Sequence, residues 1–401
     1  MVINDLKAFQ ILDSRGNFTT QVIFICSHGE FKASCPSGAS VGFKEAVEIR
    51  DADKSVKSVC ENINANIKKL ICGKNFSTIK EFDDFLLKID GTTNKSNLGA
   101  NCTLPLSIAF TRAIAALNKL PIYEYIRKIY NFNSSIPIPM INLINGGCHA
   151  NNKLSIQEFM IVPNTTSYKE SIEVAVKVFT CLKIILTQQN KSLSLGDEGG
   201  YCAFFENTHD ALDTLVLAIK KSGYLDTKIA LDVAANELLL SDGHYLLDNK
   251  KYSSKELVHF YEEIILKYPI ISIEDGLSES DFSGWNYMTS KLNKTKLVGD
   301  DIFASNVKYF SEGVAKNYGN AILIKPNQVG TITETINTIL VAKKFNKDFV
   351  PSHRSGDTED DFICDLAVAT GAKYIKIGSV ARGERTSKHN KILTIEQMTE
   401  I

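Results

Sequence analysis

Between residues 228 and 376 one device recurs. An apolar run ends, each time, on a charged side chain: KIALD on Asp232, PIISIE on Glu274, KLVGD on Asp300, AILIK on Lys325, DFVPSHR on Arg354 and KYIK on Lys376. Apolar runs without polar alternation read as strands buried on both faces, as in a parallel sheet. The intervals, about 20–45 residues, hold a strand and a returning helix. Such units in series predict a closed α/β barrel with acids and bases around one mouth. In AILIKPNQVG (321–330), Pro326 and Gly330 break the run directly after Lys325, which leaves the amine at the strand exit. An open doubly wound sheet is disfavoured, because no GxGxxG phosphate loop opens the first unit.

The N-terminal third reads differently. FTTQVIFIC and EFKASC are strand-like, with HG at 28–29 as their turn. DSRGNFT (13–19) and CPSGASVG (35–42) are Gly/Ser loops expected to be mobile. Helical patterns follow to residue 130: FDDFLLKID carries one apolar stripe, and LPLSIAFTRAIAALNKL carries another before Pro121. The chain thus divides into an α+β capping domain, 1–130, and a barrel domain, 136–401, with NFNSSIPIP (131–139) as linker. In the second part Ser167 with Glu170 and Ser253 with Glu256 predict capping boxes. The first opens a helix whose expected core face is Ile172, Ala175, Val176, Phe179 and Leu182.

A net charge of −1 on 401 residues gives no electrostatic footprint for nucleic acid or a membrane surface. Nine scattered cysteines without a CxxC pair predict reduced thiols, a cytoplasmic setting, and neither a disulfide frame nor a zinc site. MVINDLKAFQ is too polar for a signal peptide, and no run approaches the length of a membrane span.

Asp232, Glu274 and Asp300 end three consecutive strands, and adjacent strands lie about 5 Å apart. Three anions brought together need a cation, and hard oxygen ligands suit Mg²⁺. The alternative for each acid is capping the next helix. Lys325 and Lys376 close the ring opposite the acids, each with little access to water. A lysine base facing a metal-held carboxylate is what removal of a proton next to a carboxylate requires. In LGDEGGY (195–201), glycines flank Asp197 and Glu198 as where backbone approaches a ligand. In SHRSGDTEDD (352–361), Arg354 and Ser355 suit a phosphate or carboxylate oxygen. NGGCHANN (145–152) carries His149 on a Gly/Asn loop.

These residues resemble the enolase family. The similar segments, in order along nearly the whole chain, are DSRGN, PSGAS, DGTTNKSNLGAN, INGGCHA, IQEFMIVP, GDEGGY, LDVAANE, SIEDGLSESD, LVGDD, LIKPNQVGT, SHRSGDTED and IKIGS. The resemblance implies a small α+β domain before a modified eight-stranded TIM barrel, and the reversible dehydration of 2-phosphoglycerate to phosphoenolpyruvate. A lysine or histidine base with Mg²⁺ is the general enolase-superfamily pairing. By resemblance Lys325 is the base for the C2 proton and Glu198 the acid for the C3 hydroxyl. Asp232, Glu274 and Asp300 hold the first Mg²⁺, and Ser40 helps admit a second. Glu158 and His149 assist near the leaving group, with Gln157 positioning. Arg354 and Ser355 bind the phosphate, and Lys376 the carboxylate.

Departures from the family pattern fall mostly in loops. Phe18 stands for a proline, Val41 for a threonine and Ile377 for a threonine, CAFF (202–205) replaces a Pro-Asn continuation, Pro105 enters a helix early, and the tail is short. Gln21 and Thr394 are neutral where the family pairs an acid with an arginine across a dimer. A homodimer is still expected, because a partly exposed pair contributes less than about 1 kcal/mol. Rival readings are an acid-sugar dehydratase and a non-catalytic adhesin that kept the fold. The phosphate-type SHRS stretch argues against the first, and the complete set of catalytic positions against the second. No residue pattern here indicates cell-surface display, plasminogen binding or an RNA-processing partner.

Overall fold

The computed structural model describes residues 1–38, 42 and 44–399. β1 (Asp5–Leu12), β2 (Phe18–Cys26) and β3 (Gly29–Ser34) form an antiparallel sheet in that order. Its register pairs Leu6 with Phe24 and Ala8 with Val22, so alternate residues turn one apolar face inward. α1 (Lys57–Asn62) continues through a π-helical segment, Ile63–Ile67, into α2 (Lys68–Ile71). α3 (Ile79–Asp90), α4 (Ala100–Leu117) and α5 (Ile122–Tyr130) complete this part. Phe82 of α3 stacks on Phe110 of α4 with ring centroids 4.3 Å apart.

α4 corrects one expectation. Its 18 residues are long and apolar enough to cross a membrane by length and composition, and 83% of them are buried inside the protein. It is apolar all round because it packs against the sheet on one side and the barrel on the other, with Thr103 Oγ1 donating to Gly330 O at 2.7 Å.

The barrel strands are β4 (Ile138–Asn145), β5 (Glu158–Val162) and β6 (Lys228–Asp232); then, after a small hairpin of β7 (Tyr245–Leu247) and β8 (Lys250–Tyr252), β9 (Ile270–Glu274), β10 (Lys296–Gly299), β11 (Ala321–Ile324), β12 (Asp348–Pro351) and β13 (Tyr374–Lys376). Their order round the sheet is β12-β11-β10-β9-β6-β5-β4-β13, and a bridge between Ser352 and Lys376 joins the two ends. The strands are not all parallel as the repeated runs suggested: β5 is antiparallel to both β4 and β6. The twelve residues between β4 and β5 hold only a 3-10 turn, Gly147–His149, and no helix to carry the chain back across the sheet, so β5 returns as a hairpin partner. Met160, Ala230, Val298, Leu323 and Val350 belong to a separate apolar cluster built from strand residues, which fills the barrel interior.

The outer helices are α6 (Tyr168–Gln188), α7 (Thr208–Ser222), α8 (Ser254–Lys267), α9 (Phe282–Lys291), α10 (Val307–Lys316), α11 (Ile332–Lys344), α12 (Phe362–Thr370) and α13 (Gly383–Met398). Ser253 and Glu256 form the full capping box. Ser167 caps α6, but Glu170 turns to Thr166, so only half of that box forms. The core face of α6 is also rotated from expectation. Val174, Ala175, Val178, Leu182 and Ile185 are buried, whereas Val176 is 49% exposed.

Candidate active site

One end of the barrel collects the charges. Asp232 and Glu274 end β6 and β9 and are register partners; Asp300 and Lys325 directly follow β10 and β11. Lys376 ends β13, and Arg354 and Ser355 follow β12. The reversed β5 brings its start to the same end, so Glu158 pairs in register with Asp232. With the N-terminal Gly38 and Glu45, these elements enclose a cleft of about 620 Å³, counting space open to solvent. None of the three strand-end acids caps a helix. Ser253, Asp281 and Asn306 do that for α8, α9 and α10, which removes the alternative reading of the acids.

Two ammoniums divide the carboxylates. Lys376 Nζ lies 2.8 Å from Asp232 Oδ2, 2.9 Å from Glu274 Oε2 and 3.1 Å from Glu158 Oε1. Lys325 Nζ pairs with Asp300 Oδ2, while Gln328 Nε2 donates to Asp300 Oδ1 at 2.9 Å. Each ammonium thus holds part of the predicted trio, while Glu274 still feels the charge of both Asp232 and Asp300. Lys376 draws Asp232 and Glu274 together, and Asp300 groups with Asp275 and Asp301, their oxygens within 4.8 Å of one another.

Burial lowers both lysines, yet their acid partners outweigh it and hold both pKa values above the ordinary range. The carboxylates outnumber the cations. Burial, with Glu198 and Asp232 as the nearest like charges, pushes Glu158 and Glu274 well up, and burial with Asp300 pushes Asp301 up to about 7. Glu158 Oε2 is buried with no partner among the described residues. An oxygen-only donor set with surplus negative charge fits a hard divalent cation.

Glu198 sits on the LGDEGGY loop. Gly200 N donates to Asn145 Oδ1 at 3.0 Å, and a Cβ at Gly200 would stand 2.7 Å from that oxygen, so the loop needs glycine there. Around the carboxylate, His353 Nε2 lies 3.2 Å from Oε2 and His149 Nδ1 lies 3.9 Å from Oε1. The same His149 nitrogen is 3.9 Å from Glu158 Oε1. Burial acts to raise Glu198, and the two imidazoles outweigh it. Burial also drives His353 down to about 4, so at neutral pH it faces Glu198 as a neutral ring at 3.2 Å and not as a full charge. Gln157 bridges to the acids: Cys148 Sγ donates to its Oε1 at 3.0 Å, and its Nε2 donates to Asp232 Oδ2 at 3.4 Å.

Arg354 does not cap α12, whose N-cap is Asp361. Its Nη1 donates to Glu45 Oε2 and to Asn327 Oδ1, each at 2.9 Å. Ser355 lines the cleft. Ser40 and Val41 lie outside the described residues. Sequence reasoning did not single out Glu45, Gln328 or His353. Only the SHR string, which places His353 beside Arg354 at a strand exit, carried a usable signal.

Comparison with known proteins agrees with this architecture. Residues 3–126 match the family described as "Enolase, N-terminal domain", and residues 133–400 match "Enolase, C-terminal TIM barrel domain". The enolase of Campylobacter lari is 48% identical over 406 residues, covering 99% of this chain and 97% of the relative. Enolases of Campylobacter jejuni subsp. jejuni and subsp. doylei are each 47% identical with the same coverage. With both halves matched and nearly the full length aligned, this chain belongs to the enolase family.

Proposed function

We propose that the chain is a Mg²⁺-dependent phosphopyruvate hydratase, interconverting 2-phosphoglycerate and phosphoenolpyruvate. The observation that carries this reading is a barrel mouth with more buried carboxylates than cations, and a lysine at the exit of β11. Asp232, Glu274 and Asp300 would hold one Mg²⁺, and Ser40 would assist a second. When bound, the metal supplies positive charge beside the substrate carboxylate, which stabilises the dianion left after C2 loses its proton.

Lys325 takes the C2 proton onto Nζ. Burial, with the Arg354 and Lys376 charges, favours its base form, while the Asp300 and Glu274 carboxylates oppose it and hold the pKa above the ordinary range until they are neutralised. The C2 electron pair then forms the C2–C3 double bond as the C3–O bond breaks. Glu198, held as a carboxylate before substrate binds because the imidazoles outweigh burial, delivers to the departing oxygen a proton that it takes up in the complex, and the oxygen leaves as water. His149 and Glu158 surround that oxygen, and Gln157 orients the group. Arg354 and Ser355 receive the phosphate, and Lys376 the carboxylate.

The chain acts as a cytoplasmic homodimer. Gln21 and Thr394 are each satisfied within their own chain, by Ser34 Oγ at 2.9 Å and Asn390 O at 2.8 Å, so neither calls for a partner-chain ion. The dimer should therefore be weaker than the family norm; a dimer persisting at nanomolar concentration in sedimentation would overturn this. Turnover is tested by mixing protein, 2-phosphoglycerate and Mg²⁺ and following enol absorbance in the ultraviolet. No product from the native chain removes the proposal, and activity surviving a chelator removes its metal. Lys325→Ala should be inactive.

A further inference from the structure

We infer that Arg385 is a positioning residue that fixes the tautomer of His353, so that the imidazole presents its Nε2–H to Glu198.

Arg385 lies on α13, in a GERTSKHNK run that looks like a solvated helix face, yet it is fully buried. Its Nη1 is 2.6 Å from His353 Nδ1 and donates to Arg354 O at 2.7 Å. Its Nη2 donates to Asp197 O at 3.0 Å and Ser355 O at 2.7 Å. A guanidinium carries donors and no acceptor. His353 Nδ1 must therefore accept, and a neutral imidazole that accepts at Nδ1 carries its proton on Nε2. That nitrogen is 3.2 Å from Glu198 Oε2, a close contact that is not aligned as a hydrogen bond among the described residues. With the other tautomer, two donors would face each other at Nδ1 and two lone pairs at Glu198.

Gly378 independently marks the same contact. Its φ is +84°, and a Cβ there would stand 2.6 Å from Arg385 Cδ and 3.0 Å from His353 Cε1. The backbone has withdrawn to let these two side chains meet.

The consequence rests on Glu198 being the proton donor to the leaving oxygen. As the C3–O bond breaks, the proton passes from Glu198 to that oxygen and a carboxylate remains. An N–H donor bonds the carboxylate more strongly than the acid, so the fixed tautomer favours proton release. Arg385 also ties the loop bearing Asp197 and Glu198 to the one bearing Arg354 and Ser355, and so joins the acid to the anion corner.

The test is the ¹⁵N NMR spectrum of the histidine-labelled full-length protein, with His353 assigned from its loss in His353→Gln. The expected spectrum has Nδ1 as acceptor and Nε2 protonated; a protonated Nδ1 overturns the inference, with no Arg385 variant needed. Arg385→Lys keeps the charge without the planar fork. It should scramble the His353 signature and lower kcat about 10–100-fold. Full kcat with an unchanged signature would overturn the inference. Because the spectrum is read without turnover, an inert native enzyme showing the expected tautomer counts against the reaction and not against this contact.

Discussion

Arg354 and Glu45 meet across 309 residues of sequence, with Nη1 2.9 Å from Oε2 and Nη2 3.3 Å from Oε1. Both side chains are 5% exposed. The segment carrying Glu45 is stitched to the barrel on either side of this pair. Lys44 Nζ lies 3.0 Å from Glu279 Oε2, and Ala46 N donates to Gln328 O at 2.8 Å. The anion corner of the barrel is thus completed by the N-terminal domain.

Removing Glu45 should therefore cost both stability and affinity. Breaking a buried ion pair from one side typically destabilises by about 3–5 kcal/mol. Glu45→Ala should lower the urea midpoint accordingly and raise KM for 2-phosphoglycerate, because Arg354 loses its orientation. An unchanged midpoint would show that the pair is not holding the domains together.

The acid and base roles separate by isotope exchange. Glu198→Gln should reduce elimination about 10²–10⁴-fold. It should still exchange the C2 proton with D₂O, because Lys325 is untouched. Lys325→Ala should lose both. If Glu198→Gln also abolishes exchange, Glu198 is not confined to the leaving oxygen.

His389 predicts an acid-side weakness. Burial holds its pKa down to about 4 from 6.5, and its Nδ1 is 2.7 Å from Tyr168 Oη. Between those values the unfolded chain binds a proton that the folded chain refuses. Stability is therefore full above pH 6.5 and is lost as pH falls toward 4, by about 3 kcal/mol for this group. Denaturation at pH 7.5 and 4.5 should show a smaller loss for His389→Gln than for the native chain. Equal losses would locate the acid sensitivity elsewhere, with His353 the next group to test.

Gly200→Ala places a Cβ 2.7 Å from Asn145 Oδ1 and 3.1 Å from Ile144 N. Overpacking of this kind costs about 1–3 kcal/mol. The displaced loop carries Glu198, so kcat should fall more steeply than the melting temperature suggests. A variant as active as the native chain would mean that the loop relaxes without moving its acid.

The sequence alone determined where strands end and what stands at their ends. KIALD, PIISIE and AILIK are local patterns, set by neighbours two to four residues away, and they placed Asp232, Glu274 and Lys325 at one barrel mouth. Local pattern also supplied the Ser253 capping box and the glycine-lined turn under Glu198. It did not reveal that β5 runs backwards, which is what delivers Glu158 to Asp232. Nor did it show that Val176 faces water, or that α4 is apolar on every side because two domains enclose it. Glu45, Gln328 and Arg385 read as ordinary polar residues, and only tertiary structure gave them partners at Arg354, Asp300 and His353. The reason is physical: a strand's period depends on adjacent residues, whereas a buried charge takes its meaning from whichever distant segment desolvates and pairs with it.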